Sequence, residues 1–149
     1  MAKPVTYTAS KLYISLGNGA TPTEVFAAPC GLNTRGVVFA KETNDTTVPD
    51  CDDPDAPSWT ERGVRTLSAE VTGAGVLAAE ALPIWWETYL DTESGNVKIG
   101  INAPAVDEGG YWAGKMHLTS FGVTGEVGEK INVAVTMIND GEMVWVPAT

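Results

Sequence analysis

Hydrophobic and polar residues alternate with a period of two along most of this chain, and the runs that do so predict its strands. The first run is Lys11 to Leu16, where Leu12, Ile14 and Leu16 alternate with Lys11, Tyr13 and Ser15 until Gly17, Asn18 and Gly19 end it. Thr23 to Ala27 is a short candidate closed by Pro29 and Gly31. Thr34 to Thr43 is denser, and its run of Val37, Val38, Phe39 and Ala40 predicts a strand buried on both faces or nearly so. Val64 to Thr72 alternates most cleanly, with Leu67, Ala69 and Val71 on one side and Thr66, Ser68, Glu70 and Thr72 on the other. Because a strand's side chains alternate, Glu70 is expected to face solvent or a channel while Leu67, Ala69 and Val71 face a core.

After Gly73 and Gly75 the period changes. From Ala78 to Leu90, Leu82, Trp85, Trp86, Tyr89 and Leu90 recur at helical spacing, with Glu80, Glu87 and Asp91 outside them. Pro83 belongs to a first turn, so the regular helix is expected to begin near Ala81. Strands return at Asn96 to Asn102, Gly110 to Val123, Lys130 to Asn139 and Glu142 to Val146. Within the second of these the alternation slips near Ser120, which predicts a bulge or bend. Asn139, Asp140 and Gly141 read as a tight hairpin turn. The sum is a mainly β chain, an antiparallel sandwich or barrel of about seven strands with one flanking α-helix.

One stretch belongs to neither pattern. Glu42 to Glu61 holds seven acids and three prolines but no Lys or Arg, and its apolar residues have no period. It connects the strands from Thr34 and Val64, so the pair reads as a hairpin with a long loop projecting from the end of a sheet. A structureless connection of about 20 residues is uncommon in a compact domain unless it is functional or disordered. Val48, Cys51 and Trp59 give this one apolar anchors, and it is expected to order against another protein molecule.

At 149 residues the chain has the size of one domain, 1–149, with a polar arm over residues 1–10. A formal net charge of −10 argues against general affinity for nucleic acid, which draws on clustered Lys and Arg. No apolar run of about 18 residues predicts a membrane anchor, and MAKPVTYTASK lacks the apolar core of a signal peptide, so a cytosolic origin is expected. Cys30 and Cys51 could bridge on the count alone, but in a cytosol two thiols are the expectation.

Catalytic, cofactor and metal sites are not expected. His117 is the lone histidine and sits mid-strand in phase with Lys115 and Thr119, with nothing to place a cysteine beside it. Asp50, Asp52, Asp53 and Asp55 have the carboxylates for calcium, but Pro54 stands where an EF-hand needs a ligand and the loop glycine is missing. Trp85 and Trp86 could form a sugar platform, although on an apolar helix core or interface is the plainer reading. The glycines make no phosphate-binding fingerprint.

The order of strand, acidic loop, strand, helix and further strands, with the text CGLNTRGVVFAKETNDTTVPDCDDPDAPSWTERGVRTLSAEVTGAGVLAAEALPIWWETYLD from Cys30 to Asp91, resembles the major tail tube proteins of long-tailed phages and phage-like gene transfer agents. The resemblance covers most of the chain. It implies a particle-tail subunit, assembled in the host cytoplasm into hexameric rings that stack as a tube. Strands of each copy would join one β-barrel around a lumen carrying DNA without specific binding. Partners would be other copies and the tail terminator and baseplate proteins. Carried onto this chain, the inter-ring loop is Asn44 to Trp59, with Asn44, Asp45, Val48, Asp50, Asp52, Asp53, Asp55 and Trp59 as interface residues, and the arm is roughly Met1 to Ser10. Its acids require a partner surface with bases, for which Arg35, Arg62, Arg65 and Lys98 are candidates. Open sheet edges suit this role, since barrel closure by several copies fills them. Two other classes remain: a secretion-system tube protein of related fold, and a carbohydrate-binding β module of a virion with Trp85, Trp86, Tyr111 and Trp112 on one exposed face. An enzyme ranks third.

Overall fold

The computed structural model describes residues 3–17 and 24–149. Thr23, Met1 and the Asn18 and Gly19 turn positions lie outside them. Eight strands are present among the described residues: Leu12–Gly17 (β1), Phe26–Ala27 (β2), Leu32–Asp45 (β3), Arg62–Val76 (β4), Gly95–Ile101 (β5), Gly110–Thr124 (β6), Asn132–Asn139 (β7) and Val144–Pro147 (β8). One α-helix, Leu82–Leu90 (α1), follows β4, with Pro83 in its first turn where a missing N–H costs nothing.

All strand pairs are antiparallel and form one sheet in the order β2-β1-β5-β6-β7-β4-β3, with β8 added beside β6. The sheet curls until its two ends approach, and there the Arg35 guanidinium of β3 donates to Leu12 O of β1 and, at 2.9 Å, to Leu32 O. Inward-facing residues at alternate positions build the core: Ile14 and Leu16, Val97 and Ile99, Met116 and Leu118, Val133, Val135 and Met137, Ala69 and Val71. Trp85 of α1 is wholly buried among the apolar side chains. The phase slip in β6 is a bulge, since Leu118 pairs with Met137 and Ser120 with Thr136, leaving Thr119 without an opposite number.

Three expectations need correction. The β3 run is not buried on both faces: Val38 is 65% and Phe39 48% exposed, because β3 is the last strand of the sheet path. Density of apolar residues does not distinguish a doubly covered strand from an edge strand awaiting cover. Leu67 is 68% exposed although it shares parity with buried Ala69 and Val71, so the parity holds and the core ends one pair short of it. Glu70 is exposed, as its phase requires.

The third correction concerns residues 139–141. A hairpin turn would pair β7 with β8, but both pair with β6: Met116 faces Asn139, and Ala113 faces Val144. The chain therefore runs on along β6 and only kinks outward, with Asp140 N donating to Lys115 O at 2.7 Å. Gly141 takes φ +105°, and the kink passes so close that a Cβ on Gly114 would meet Met143 Sδ at 2.3 Å and Glu142 O at 2.9 Å.

Replacing Trp85 with Ala should destabilise the folded subunit by about 3–5 kcal/mol. Leu67→Ala should change it by less than about 0.5 kcal/mol, because most of that side chain is already exposed in the isolated chain. Urea unfolding of the two variants measures the contrast.

Candidate assembly surface

The hairpin β3–β4 is longer than the sheet that supports it. β4 pairs with β7 only from Glu70 (opposite Ile138) to Val76, whereas its pairing with β3 continues to Arg62 opposite Asp45. The support ends at Asn139, whose side-chain Oδ1 accepts from Ala69 N at 3.0 Å and so replaces the next rung of the ladder. Beyond it the kink carries the chain away, and the outer hairpin becomes a two-stranded ribbon with both edges open. Such a ribbon is marginal by itself in water.

Register fixes what the two ribbon faces present. Val37, Phe39 and Lys41 stand opposite Val71, Ala69 and Leu67, so they share the core-side face. A register shift between Glu42 and Thr43 then puts Val64 opposite Thr43, returning an apolar side chain to that face. The other face carries Val38, Ala40 and Glu42 opposite Glu70, Ser68 and Thr66. There Arg65 lies 3.6 Å from Glu42, an exposed pair of small energetic value. The hydrophobic stripe of the core thus continues along the ribbon after the opposing wall has stopped. Between the ribbon and the kink lies an open groove of about 740 Å³, lined by Phe39, Lys41, Leu67, Asn139, Glu142 and Met143 among others. Phe39 also heads an aromatic row, 5.2 Å from Trp112, which is 4.7 Å from Trp145.

Asn44 and Asp45, placed by sequence in the loop, are the last residues of β3. A clasp closes the loop's base: Thr46 N donates to Glu61 O at 2.9 Å, Glu61 N to Thr47 Oγ1 at 2.8 Å, and Thr47 N to Asp45 Oδ1 at 2.9 Å. Hydrogen bonds from Thr47 hold the Asp45 carboxyl below the usual carboxylate value, with the charge of Arg62 opposite adding to the effect. Further out, Asp52 N donates to Asp50 Oδ1 at 2.9 Å and Ala56 N to Asp53 O at 3.1 Å. Val48, Asp50, Asp52, Asp53 and Asp55 are all exposed, and Trp59 is 94% exposed.

Of the bases named from sequence, Arg35 is taken up by backbone carbonyls and Lys98 sits over the rings of Phe26 and Tyr111, 4.0 and 4.9 Å from their centroids. Arg62 and Arg65 lie on the ribbon itself. His117 Nε2 is 3.4 Å from Asp140 Oδ2. Both cysteines are free and exposed. No cluster of His, Cys, Asp and Glu among the described residues could hold a metal ion. The four aromatics of a sugar platform do not share an exposed face: Trp85 is buried and Trp112 is half-buried between Phe39 and Trp145.

Sequence reasoning missed one part of this surface. It grouped Leu82, Trp85, Trp86, Tyr89 and Leu90 as one apolar face, but only Trp85 of these is buried. The rest project outward, with Trp86 stacked on Tyr89 at 5.8 Å. With Ile84 added, apolar residues take up more than half of the helix circumference, and that was the available signal, since one sheet can cover only one side.

A rolled antiparallel sheet with an uncovered ribbon, an uncovered helix face and an exposed loop is the architecture of a structural subunit completed by other chains. The chain belongs to the phage tail tube protein family, whose model matches residues 8–145. Its fold is that of a chain in the virion of a native gene transfer agent particle, with TM-score 0.76 and 21% identity over 95% of this chain and 99% of that one. It is also that of a chain in the tail of an empty gene transfer agent particle refined with C6 symmetry, with TM-score 0.77, 22% identity and the same coverage. The SPP1 tail tube shares it at TM-score 0.66 and 9% identity, over 95% of this chain and 80% of that one. No curated protein matches the sequence.

The clasp has a pH dependence whose sign follows from Asp45. A lowered carboxyl value means that its stabilisation is complete above the unfolded value and is lost as pH falls through the lowered folded value. NMR titration should place the Asp45 midpoint below the usual 3.8. Thr47→Val should move that midpoint upward.

Proposed function

We propose that this tail tube subunit forms hexameric rings that stack into a tube, and that the lumen conducts DNA without binding it specifically. The observation that carries the reading is the hairpin that outruns its sheet, in a chain of this family whose fold matches a C6-symmetric tail. Open strand edges are an aggregation hazard in a monomer, and closing them between copies removes the hazard. The net charge of −10 suits passage, because a negative wall repels phosphate.

In this reading the whole chain is one tube-forming domain without catalytic function. Its place is the tail of a phage or gene transfer agent particle, assembled in the host cytoplasm and ended by terminator and baseplate proteins. No described helix is long and apolar enough to cross a membrane. The loop with Asn44, Asp45, Val48, Asp50, Asp52, Asp53, Asp55 and Trp59 contacts the adjacent ring, as does the arm near Met1 to Ser10. Trp59 is the anchor, since a large aromatic buried at an interface contributes much at low entropic cost while the acids remain at the rim. Glu70, on the sheet face away from the core, lines the lumen or meets solvent. Family membership favours this reading over a secretion-system tube.

Deletion of Asn44 to Ser58, bridged by a short turn, should leave a folded subunit with unchanged circular dichroism that no longer stacks into tubes by electron microscopy. Normal tubes from the deleted chain would remove the loop from the stacking interface.

A further inference from the structure

Among the described residues, two open apolar surfaces share no residue. One is the outer face of α1, where Leu82, Trp86, Tyr89 and Leu90 fall within an arc of roughly 100° at 3.6 residues per turn. The other is the ribbon stripe of Phe39, Leu67 and Val64 above the groove. Contiguous apolar patches of this kind mark interaction sites. We propose that they are the two halves of one interface, with the α1 face of one copy covering the ribbon stripe of the neighbouring copy. This rests on the reading of the chain as a ring-and-tube subunit and adds which surfaces meet.

Symmetry gives the first reason. In a ring of more than two copies the contact between neighbours is heterologous, so a patch meets a different patch and not itself. A chain in such a ring needs two unlike complementary surfaces, and this one has two. Charge gives the second reason. No Lys or Arg occurs between Val76 and Lys98, so the charged residues on and beside α1 in the chain are all acids: Glu80, Glu87, Asp91 and Glu93. Lys41 stands on the stripe face directly opposite Leu67, lines the groove, and has no ion pair among the described residues. An apolar face on an acidic helix therefore meets an apolar stripe that carries Lys41, while Glu142 lines the groove from the kink. Like faces would bring α1 acids together.

The test uses the full chain with Cys30 and Cys51 replaced by Ser, carrying Leu67→Cys and Trp86→Cys together, oxidised after assembly. Tubes should yield a denaturant-resistant ladder of covalent multimers on a non-reducing gel, and either cysteine alone should yield no covalent dimer. In parallel, Lys41→Glu should raise the concentration needed for assembly at least tenfold, and adding Glu87→Lys should recover most of that loss. Circular dichroism confirms that each variant is folded. Wild-type tubes together with no ladder from the assembled double variant overturn the pairing alone. So does a covalent dimer from a single-cysteine variant, or failure of the charge swap to recover assembly. If the wild-type chain forms no tubes, both this pairing and the tube-subunit reading fall. Should the two cysteines themselves block assembly, the charge swap decides.

Discussion

The structure turns on the loss of one hydrogen-bonding partner. At Asn139 the strand that has paired with β4 leaves it, and a side-chain carbonyl makes the last bond, to Ala69 N. Inside that point, β4 has neighbours on both sides and its alternate residues are buried. Outside it, the same strand has only β3 beside it. The kink that causes this is short, and it depends on Gly141 at positive φ and on a bare Cα at Gly114 where Met143 and Glu142 press in. A modest local geometry therefore decides that half of the longest hairpin becomes surface.

The consequence is a subunit whose apolar pattern is larger than its own core. Burial of apolar area drives folding at roughly 25 cal/mol per Å², and residues such as Phe39, Leu67, Trp86 and Trp59 forgo that gain within one chain. In the proposed tube they recover it under other copies, and there the line between folding and assembly runs through continuous elements. In the proposed stacking the acid-rich loop adds selectivity. Its carboxylates repel their own kind, and a clasp of Thr46, Thr47 and Glu61 fixes its base to the ribbon while the tip remains exposed.

Local pattern determined the strands, because side-chain alternation is a property of the backbone and not of its surroundings. It also determined the bulge near Ser120, the first turn of α1 at Pro83, the parity that turns Glu70 outward, and the hairpin with its long loop. Tertiary structure alone decided which apolar residues are covered. Nothing in the local sequence distinguishes Leu67 from Ala69 or Trp86 from Trp85, since coverage depends on where an opposing layer stops. The same holds for Asn139 to Gly141: the residues specify a change of direction, but whether the chain folds back as a hairpin or continues along β6 depends on a partner strand some twenty residues earlier. Periodicity fixes the direction in which each side chain points, and long-range pairing fixes what, if anything, is there to meet it.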